Sequence, residues 1–179
     1  MDIYDDIELV KLSVDGDTEA YAHLVKRHYM TVYRTSYKWC GIREDAEDIT
    51  HEVFIKLAQK LKTFRKKSSF KTWLYRIAAN TARDFGRRHA RRRSREEPYD
   101  DRRSGHNPGI RPVDGLTTAR LRETLKGLST GQREAVLLVF GEGLSHREAS
   151  LVLGCREVTI SWRIFQARKK LRKAREQET

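Results

Sequence analysis

The 179 residues allow one ordinary domain or two small ones, and 37 Lys and Arg against 25 Asp and Glu leave a formal net charge of +12. So cationic a chain, with a pI near 9.9, is expected to seek polyanions with an affinity that falls steeply with salt. Its longest apolar runs, such as Ala135 to Phe140, are far too short to span a bilayer. The opening MDIYDDIELVK is acidic and lacks the basic-then-apolar layout of a signal peptide, so the cytoplasm is the expected location. Cys40 and Cys155 each stand alone beside a glycine, and no pair of histidines flanks a glutamate at metal-ligand spacing. Neither a disulfide framework, a metal site nor a cofactor is expected.

Residues 1 to about 16 read as a short polar lead with apolar anchors at Ile3, Ile7, Leu9 and Leu12. Asp17, or Asp15 before it, is placed to cap a helix that runs to about Trp39 and ends at Gly41. Tyr21, Leu24, Val25, His28 and Val32 make one stripe of this helix, and its aromatic members suit a core better than a base-stacking platform.

A second helix starts near Asp45, with acidic residues in its first turn as the helix dipole prefers. Ala46, Ile49, Val53, Leu57 and Leu61 face inward, with Phe54 alongside. The opposite side carries Glu44, Glu47, Asp48, His51, Glu52, Lys56 and Gln59, whose acidic first half is ill suited to lie against DNA. Residue types allow either a solvated face or a docking face for a protein partner.

The basic loop FRKKSS, Phe64 to Ser69, precedes a third helix expected from Phe70 to about Arg88. Leu74, Ile77, Ala78, Thr81 and Phe85 form its inward stripe, while Thr72, Arg76, Arg83 and Arg87 point away, with Trp73 and Asn80 on one shoulder. Guanidinium groups that track phosphates, beside rings and amides that engage unstacked bases, suit single-stranded nucleic acid. The same residues equally describe a core tryptophan and a soluble face.

The segment that follows holds all three prolines and almost no aliphatic residue, so residues 96–115 are expected to be a flexible linker. Beyond it, a helix from Thr117 or Thr118 to about Gly127 should bury Leu121, Thr124, Leu125 and Leu128. STGQREAVLLVFGEG gives the next helix, with Ala135, Val136, Leu138, Val139 and Phe140 as core. Then LSHREASLVLGCREVTISWRIFQARKKLRKAR reads as a helix-turn-helix. Ser145 and Glu148 have capping-box spacing, and Gly154 sits where a left-handed residue ends the helix. Ile160, Ile164, Ala167 and Leu171 form the buried stripe of the last helix. Trp162, Gln166 and Lys169 point the other way, with Val158 and Phe165 beside them. No stretch alternates with period two, so the expected fold is all-α, two small helical domains (1–95 and 116–179) on a flexible tether.

Two blocks carry a resemblance. EDAEDITHEVFIKLAQKLKTFRKKSSFKTWLYRIAANTARD resembles region 2 of extracytoplasmic-function sigma factors, and LKGLSTGQREAVLLVFGEGLSHREASLVLGCREVTISWRIFQARKKLRKA resembles their region 4. The resemblance implies a subunit that binds core RNA polymerase and directs it to promoters. It implies that the helix carrying Asp48, His51, Glu52, Phe54, Ile55, Lys56 and Gln59 docks on the clamp helices of the largest polymerase subunit. The second domain would rest on the flap of the second-largest subunit. Phe64, Arg65, Lys66, Lys67 and Ser69, with Phe70, Lys71, Trp73, Arg76, Asn80 and Arg83 of the third helix, would hold the melted non-template strand of the −10 element. The last helix would read the −35 element through Arg156, Thr159, Ser161, Trp162, Phe165 and Gln166. Arg163, Arg168 and Lys169 would position phosphates there. An anti-sigma factor is a further implied partner.

His51 stands where the family often has Gln, and Ser161, Trp162 and Gln166 also depart from its pattern. These departures leave the −35 sequence open. One rival is a duplex-binding regulator with a sensing or dimerising N-terminal half, which leaves the acidic helix and basic loop unexplained. An enzyme on nucleic acid would need a carboxylate cluster, an activated nucleophile or a phosphate loop. No GxxxxGK[ST] or HExxH occurs, so no catalytic residue is assigned.

Overall fold

The computed structural model describes residues 4–93, 124–125 and 127–177. The chain divides into two units, Met1–Gly105 and His106–Thr179, and the described residues of both are helical without a strand. The expected linker and most of the expected helix before Gly127, with Ile3 and Leu121, lie outside the described residues.

The first unit begins with a helix that the sequence reading misses. α1 (Asp6–Val14) starts at a capping box: the Glu8 amide donates to Asp5 Oδ1 at 2.8 Å, and the Asp5 amide donates to Glu8 Oε2 at 3.2 Å. Each carboxylate satisfies an amide that the first turn would otherwise leave unpaired. Leu9 and Val10 are the face it buries. α2 (Thr18–Cys40) is capped by Asp17 Oδ1, which accepts from the amides of Glu19 and Ala20, and Gly41 ends it at a φ of 76°. Side chains clip α1 to α2. Arg27 donates to Asp6 Oδ1 and to the Tyr4 carbonyl, both at 2.8 Å, and His28 Nε2 lies 3.0 Å from the same Asp6 oxygen.

α3 (Arg43–Lys60) continues through a tight turn at Leu61–Thr63, and α4 (Phe70–Arg93) runs past the expected end near Arg88. Leu24, Val32, Ile49, Val53, Leu57 and Leu74 from α2, α3 and α4 are all but fully buried in one core. The Tyr21 hydroxyl donates to the Phe54 carbonyl at 2.6 Å, which ties α2 to α3. Because α4 contacts both α2 and α3, its buried surface is wider than one stripe, and Thr72, Tyr75 and Ala79 are buried as well. Thr72 is therefore not on the outer face that the spacing assigns to it.

In the second unit, Leu125 and Leu128 are buried as the spacing predicts, whereas Thr124 is exposed. α5 (Thr130–Val136) starts at a capping box between Ser129 and Gln132. It ends in a wide π-type turn, Leu137–Gly141. A π turn inserts extra chain and shifts the helical face. Leu137 and Leu138 are buried there, while Phe140, expected in the core, is 56% exposed. α6 (His146–Leu153) has the expected capping box of Ser145 and Glu148 and ends at Gly154, whose φ is 65°. α7 (Glu157–Gln177) buries Ile160, Ile164 and Ala167 against α5 and α6.

Leu24 has no exposed surface. Leu24→Ala is expected to destabilise the first unit by about 2–5 kcal/mol, the transfer loss plus the cavity left behind, read as a lower urea midpoint of its helical circular dichroism.

Candidate nucleic-acid and partner interfaces

The basic loop is pinned at both ends by aromatic side chains. Phe70 is buried, and its ring lies 5.7 Å from Phe64, edge to face, and 6.0 Å from Trp73; Phe64 and Trp73 are 5.1 Å apart. His28 closes the cluster from α2, 5.2 Å from Phe70. Ser69 caps α4, its hydroxyl accepting from the Thr72 amide at 3.1 Å and lying 2.8 Å from the Thr72 hydroxyl. Between these anchors Arg65, Lys66 and Lys67 are exposed, and Lys66 holds a φ of 54°. A side chain in the left-handed region costs about 1 kcal/mol. Such strain persists where the surroundings fix the chain path, as the two phenylalanines do here.

Lys71, Arg76 and Asn80 lie exposed along α4, and Arg83, half-buried, donates to Asn80 Oδ1 at 3.2 Å. Loop and helix together thus present a cationic edge with an amide, beside the half-buried faces of Phe64 and Trp73. Phe70 is a correction to the expected contact set: it is core, and it acts by anchoring the loop.

On α3, Asp48, His51, Ile55 and Gln59 form one exposed stripe at helical spacing, with Ile55 61% exposed. Phe54 is a second correction. It is buried and stacks on Tyr29 at 6.0 Å, so it supports this face from within. Glu52 and Lys56 are half-buried and engaged: Lys56 Nζ lies 2.8 Å from Glu52 Oε1, and Arg88 reaches across from α4 to Glu52. The hydrogen bond from Arg88, and then Lys56, hold the Glu52 carboxyl below its ordinary value. Asp84 is held down likewise, first by Arg87. Arg88–Glu52, with Lys56 Nζ 3.9 Å from Asp84 Oδ2, keeps the distal half of α4 against α3, a role that sequence spacing does not reveal. Nearby, burial pushes the Cys40 thiol up to about 11, which leaves it a poor nucleophile.

In the second unit, the outward side of α7 is apolar at its start. Val158, Trp162 and Phe165 are 77%, 57% and 64% exposed. Arg156, Arg168 and Lys169 are exposed at either end of this stretch. Several expected base readers are already bonded within the domain or half-buried. Ser161 Oγ donates to the Glu157 carbonyl at 3.3 Å and lies 2.9 Å from His146 Nδ1, which braces α7 to α6. Arg163 is half-buried, and a Cβ at Gly131 would stand 3.0 Å from its guanidinium carbon. Thr159 and Gln166 are half-buried too, and Arg168 stacks over the Phe140 ring at 5.2 Å. His146 is a residue that spacing could not flag, since its role depends on a contact fifteen positions away. Among the described residues no cluster of three or more metal-binding side chains occurs, and no helix is long and apolar enough to cross a membrane.

Residues 24–92 match the family model of Sigma-70 region 2, and residues 118–171 that of Sigma-70, region 4. The chain is 35% identical over 163 residues to ECF RNA polymerase sigma factor SigE of Mycolicibacterium smegmatis, covering 88% of this chain and 63% of SigE. It is 31% identical over 173 residues to the ECF RNA polymerase sigma-E factor of Haemophilus influenzae, covering 91% of each chain. Among solved structures, CnrH in complex with the cytosolic domain of CnrY aligns over 97% of this chain and 99% of CnrH, with a TM-score of 0.73 and 28% identity.

Lys66→Gly is expected to raise the stability of the first unit by up to about 1 kcal/mol by removing the left-handed strain. In the same variant, the slope of log affinity for single-stranded DNA against log salt should fall by about 0.7, the share of one phosphate contact. A denaturation curve and a salt titration read the two effects separately. The depressed Glu52 carboxyl contributes stability above its ordinary range near pH 4.5 that is lost as pH falls through its lowered value. In Glu52→Gln the loss of stability between pH 6 and pH 3 should therefore shrink, by no more than about 1 kcal/mol for so accessible a pair.

Proposed function

The chain belongs to the extracytoplasmic-function sigma factors, initiation factors rather than enzymes, and on that premise we propose how its surfaces divide the work of promoter recognition. Residues 1–95 form the part that docks on core RNA polymerase and captures the −10 strand, residues 96–115 the tether, and residues 116–179 the −35 anchor. The α3 stripe of Asp48, His51, Ile55 and Gln59 docks on the clamp helices of the largest polymerase subunit. The exposed isoleucine supplies apolar contact, and the flanking polar groups supply register. The second unit rests on the flap of the second-largest subunit.

One observation carries the −10 assignment: a cationic loop in a fixed shape, continuous with the exposed Lys71, Arg76 and Asn80 of α4. A duplex offers phosphates to any basic helix. An edge that combines cations, an amide and partly exposed rings is suited to bases that have left the stack. Strand opening then needs no bond to be made or broken. Unstacking a base costs a few kcal/mol, which contacts to the extruded base offset. The −35 duplex is held by α7, with Arg168 and Lys169 on phosphates, so opening strains DNA that is gripped on both sides.

Control by an anti-sigma factor fits the same surfaces, because a partner laid on α3 or α7 would exclude polymerase or promoter. CnrH, the structural relative above, was solved in complex with the cytosolic domain of CnrY. A polymerase subunit of this kind acts in the cytoplasm.

Added to core polymerase, the full chain is expected to confer start-site-selective transcription; failure to bind core, or start sites unchanged by its presence, removes this reading. In Arg76→Ala and Arg83→Ala, permanganate reactivity of the melted strand should fall several-fold while duplex binding falls little. Equal losses in the two assays would show that α4 contacts duplex instead.

A further inference from the structure

The first three turns of α7 hold an unusual surface for a helix that enters the major groove. Val158, Trp162 and Phe165 lie within about 60° of one another around the helix, at about 100° per residue, and Lys169 continues the same line. Their exposures of 77%, 57% and 64% leave most of two aromatic rings and a valine in water. The polar side chains that would read base edges are bonded to their own domain or turned to its flank. Ser161 is bonded to Glu157 and His146, Arg163 lies over Gly131, and Thr159 and Gln166 are half-buried. What projects is an apolar line with exposed Arg156 at one end and Arg168 and Lys169 at the other.

Charge complementarity commits this line to DNA. An apolar strip bounded by cations at both ends needs a partner with apolar groups between rows of anions. In the major groove the 5-methyl of thymine is the apolar group, and phosphates line both sides. We propose that this chain's duplex anchor selects its site by thymine methyl groups packed against Val158, Trp162 and Phe165, with hydrogen-bond readout secondary. The inference rests on α7 being the −35 reader. It adds the chemical class that the reader selects, a run of methyls over the roughly five base pairs that a rise of about 16 Å from Val158 to Lys169 spans.

The test substitutes deoxyuridine for thymine, which removes the methyl and leaves every hydrogen-bonding group in place. The full chain bound to core polymerase would first be used to select duplexes from a randomised library. Thymines in the selected −35 segment would then be replaced one at a time. At the contacted positions, affinity should fall about three- to five-fold per methyl. In Trp162→Ala and Phe165→Ala, exposed positions whose change leaves the core intact, thymine and deoxyuridine duplexes should bind alike. Arg168→Ala should weaken both duplexes equally. If no −35 sequence is selected, the assignment of α7 as the −35 reader fails, and this inference with it. If a sequence is selected but deoxyuridine has no effect, the assignment stands and methyl selection is overturned. A deoxyuridine effect that persists in the alanine variants would place the methyl's role in DNA stiffness, and would also overturn it. Alanine variants that bind every duplex like the parent would mark the strip as the seat of a protein partner.

Discussion

The basic loop keeps its shape because half-buried Phe64 packs edge to face on buried Phe70 at its two ends. Six residues so polar have no reason to hold one conformation, since an ordered backbone loses about 1–2 kcal/mol per residue of conformational entropy. Here the two rings and Trp73 bring the ends of the loop together, and Ser69 starts α4 at a fixed point. The cations between them then have only a short span to order. The same packing forces Lys66 into the left-handed region, so the strain and the fixed loop have one cause. A surface prepared in this way loses little further entropy when it captures a strand.

A second constraint acts through α3. It must bury one side for the fold and still offer a side to a partner, and its two faces are only half a turn apart. Phe54 and Val53 fill the core, while Ile55, next in sequence, is exposed. Glu52 and Lys56 sit on the boundary, and Arg88 draws Glu52 toward α4. The pairing therefore divides the acidic face. The side toward α4 serves the fold, and the stripe from Asp48 to Gln59 stays exposed, free for the docking proposed above.

Much of the architecture was legible because its signals are local. Asp17, the Ser145–Glu148 box, and glycines 41 and 154 each act within a single turn, and each stands where the spacing places it. α1 carried the same box at Asp5 and Glu8. It was missed because its apolar residues, flanked by acids, look like isolated anchors until Arg27 and His28 clip the helix down through Asp6. Phe140 was misplaced because a π turn shifts the face by a fraction of a turn, and that shift has no sequence mark. Spacing puts Thr72 outward, and the resemblance gives Phe54 and Phe70 contact roles, but a helix packed on two neighbours buries more than one stripe. The individual site assignments depended on the same non-local facts: which helix faces a side chain, and which polar groups are already engaged.

α7 shows why that last point decides recognition. Read from residue types alone, its outer face offers a glutamine suited to an adenine edge and two aromatics suited to thymine methyls or sugars. Buried Ile160, Ile164 and Ala167 fix its rotation, and that rotation carries Gln166 and Arg163 to the flank. Bracing α6 to α7 through His146 then uses the serine hydroxyl. Each of these contacts ties a polar side chain to its own domain. Val158, Trp162 and Phe165 are left largely exposed. On the proposed −35 role of α7, its selectivity follows from how its own domain is held together, and a change at His146 or Gly131 should alter recognition without touching DNA.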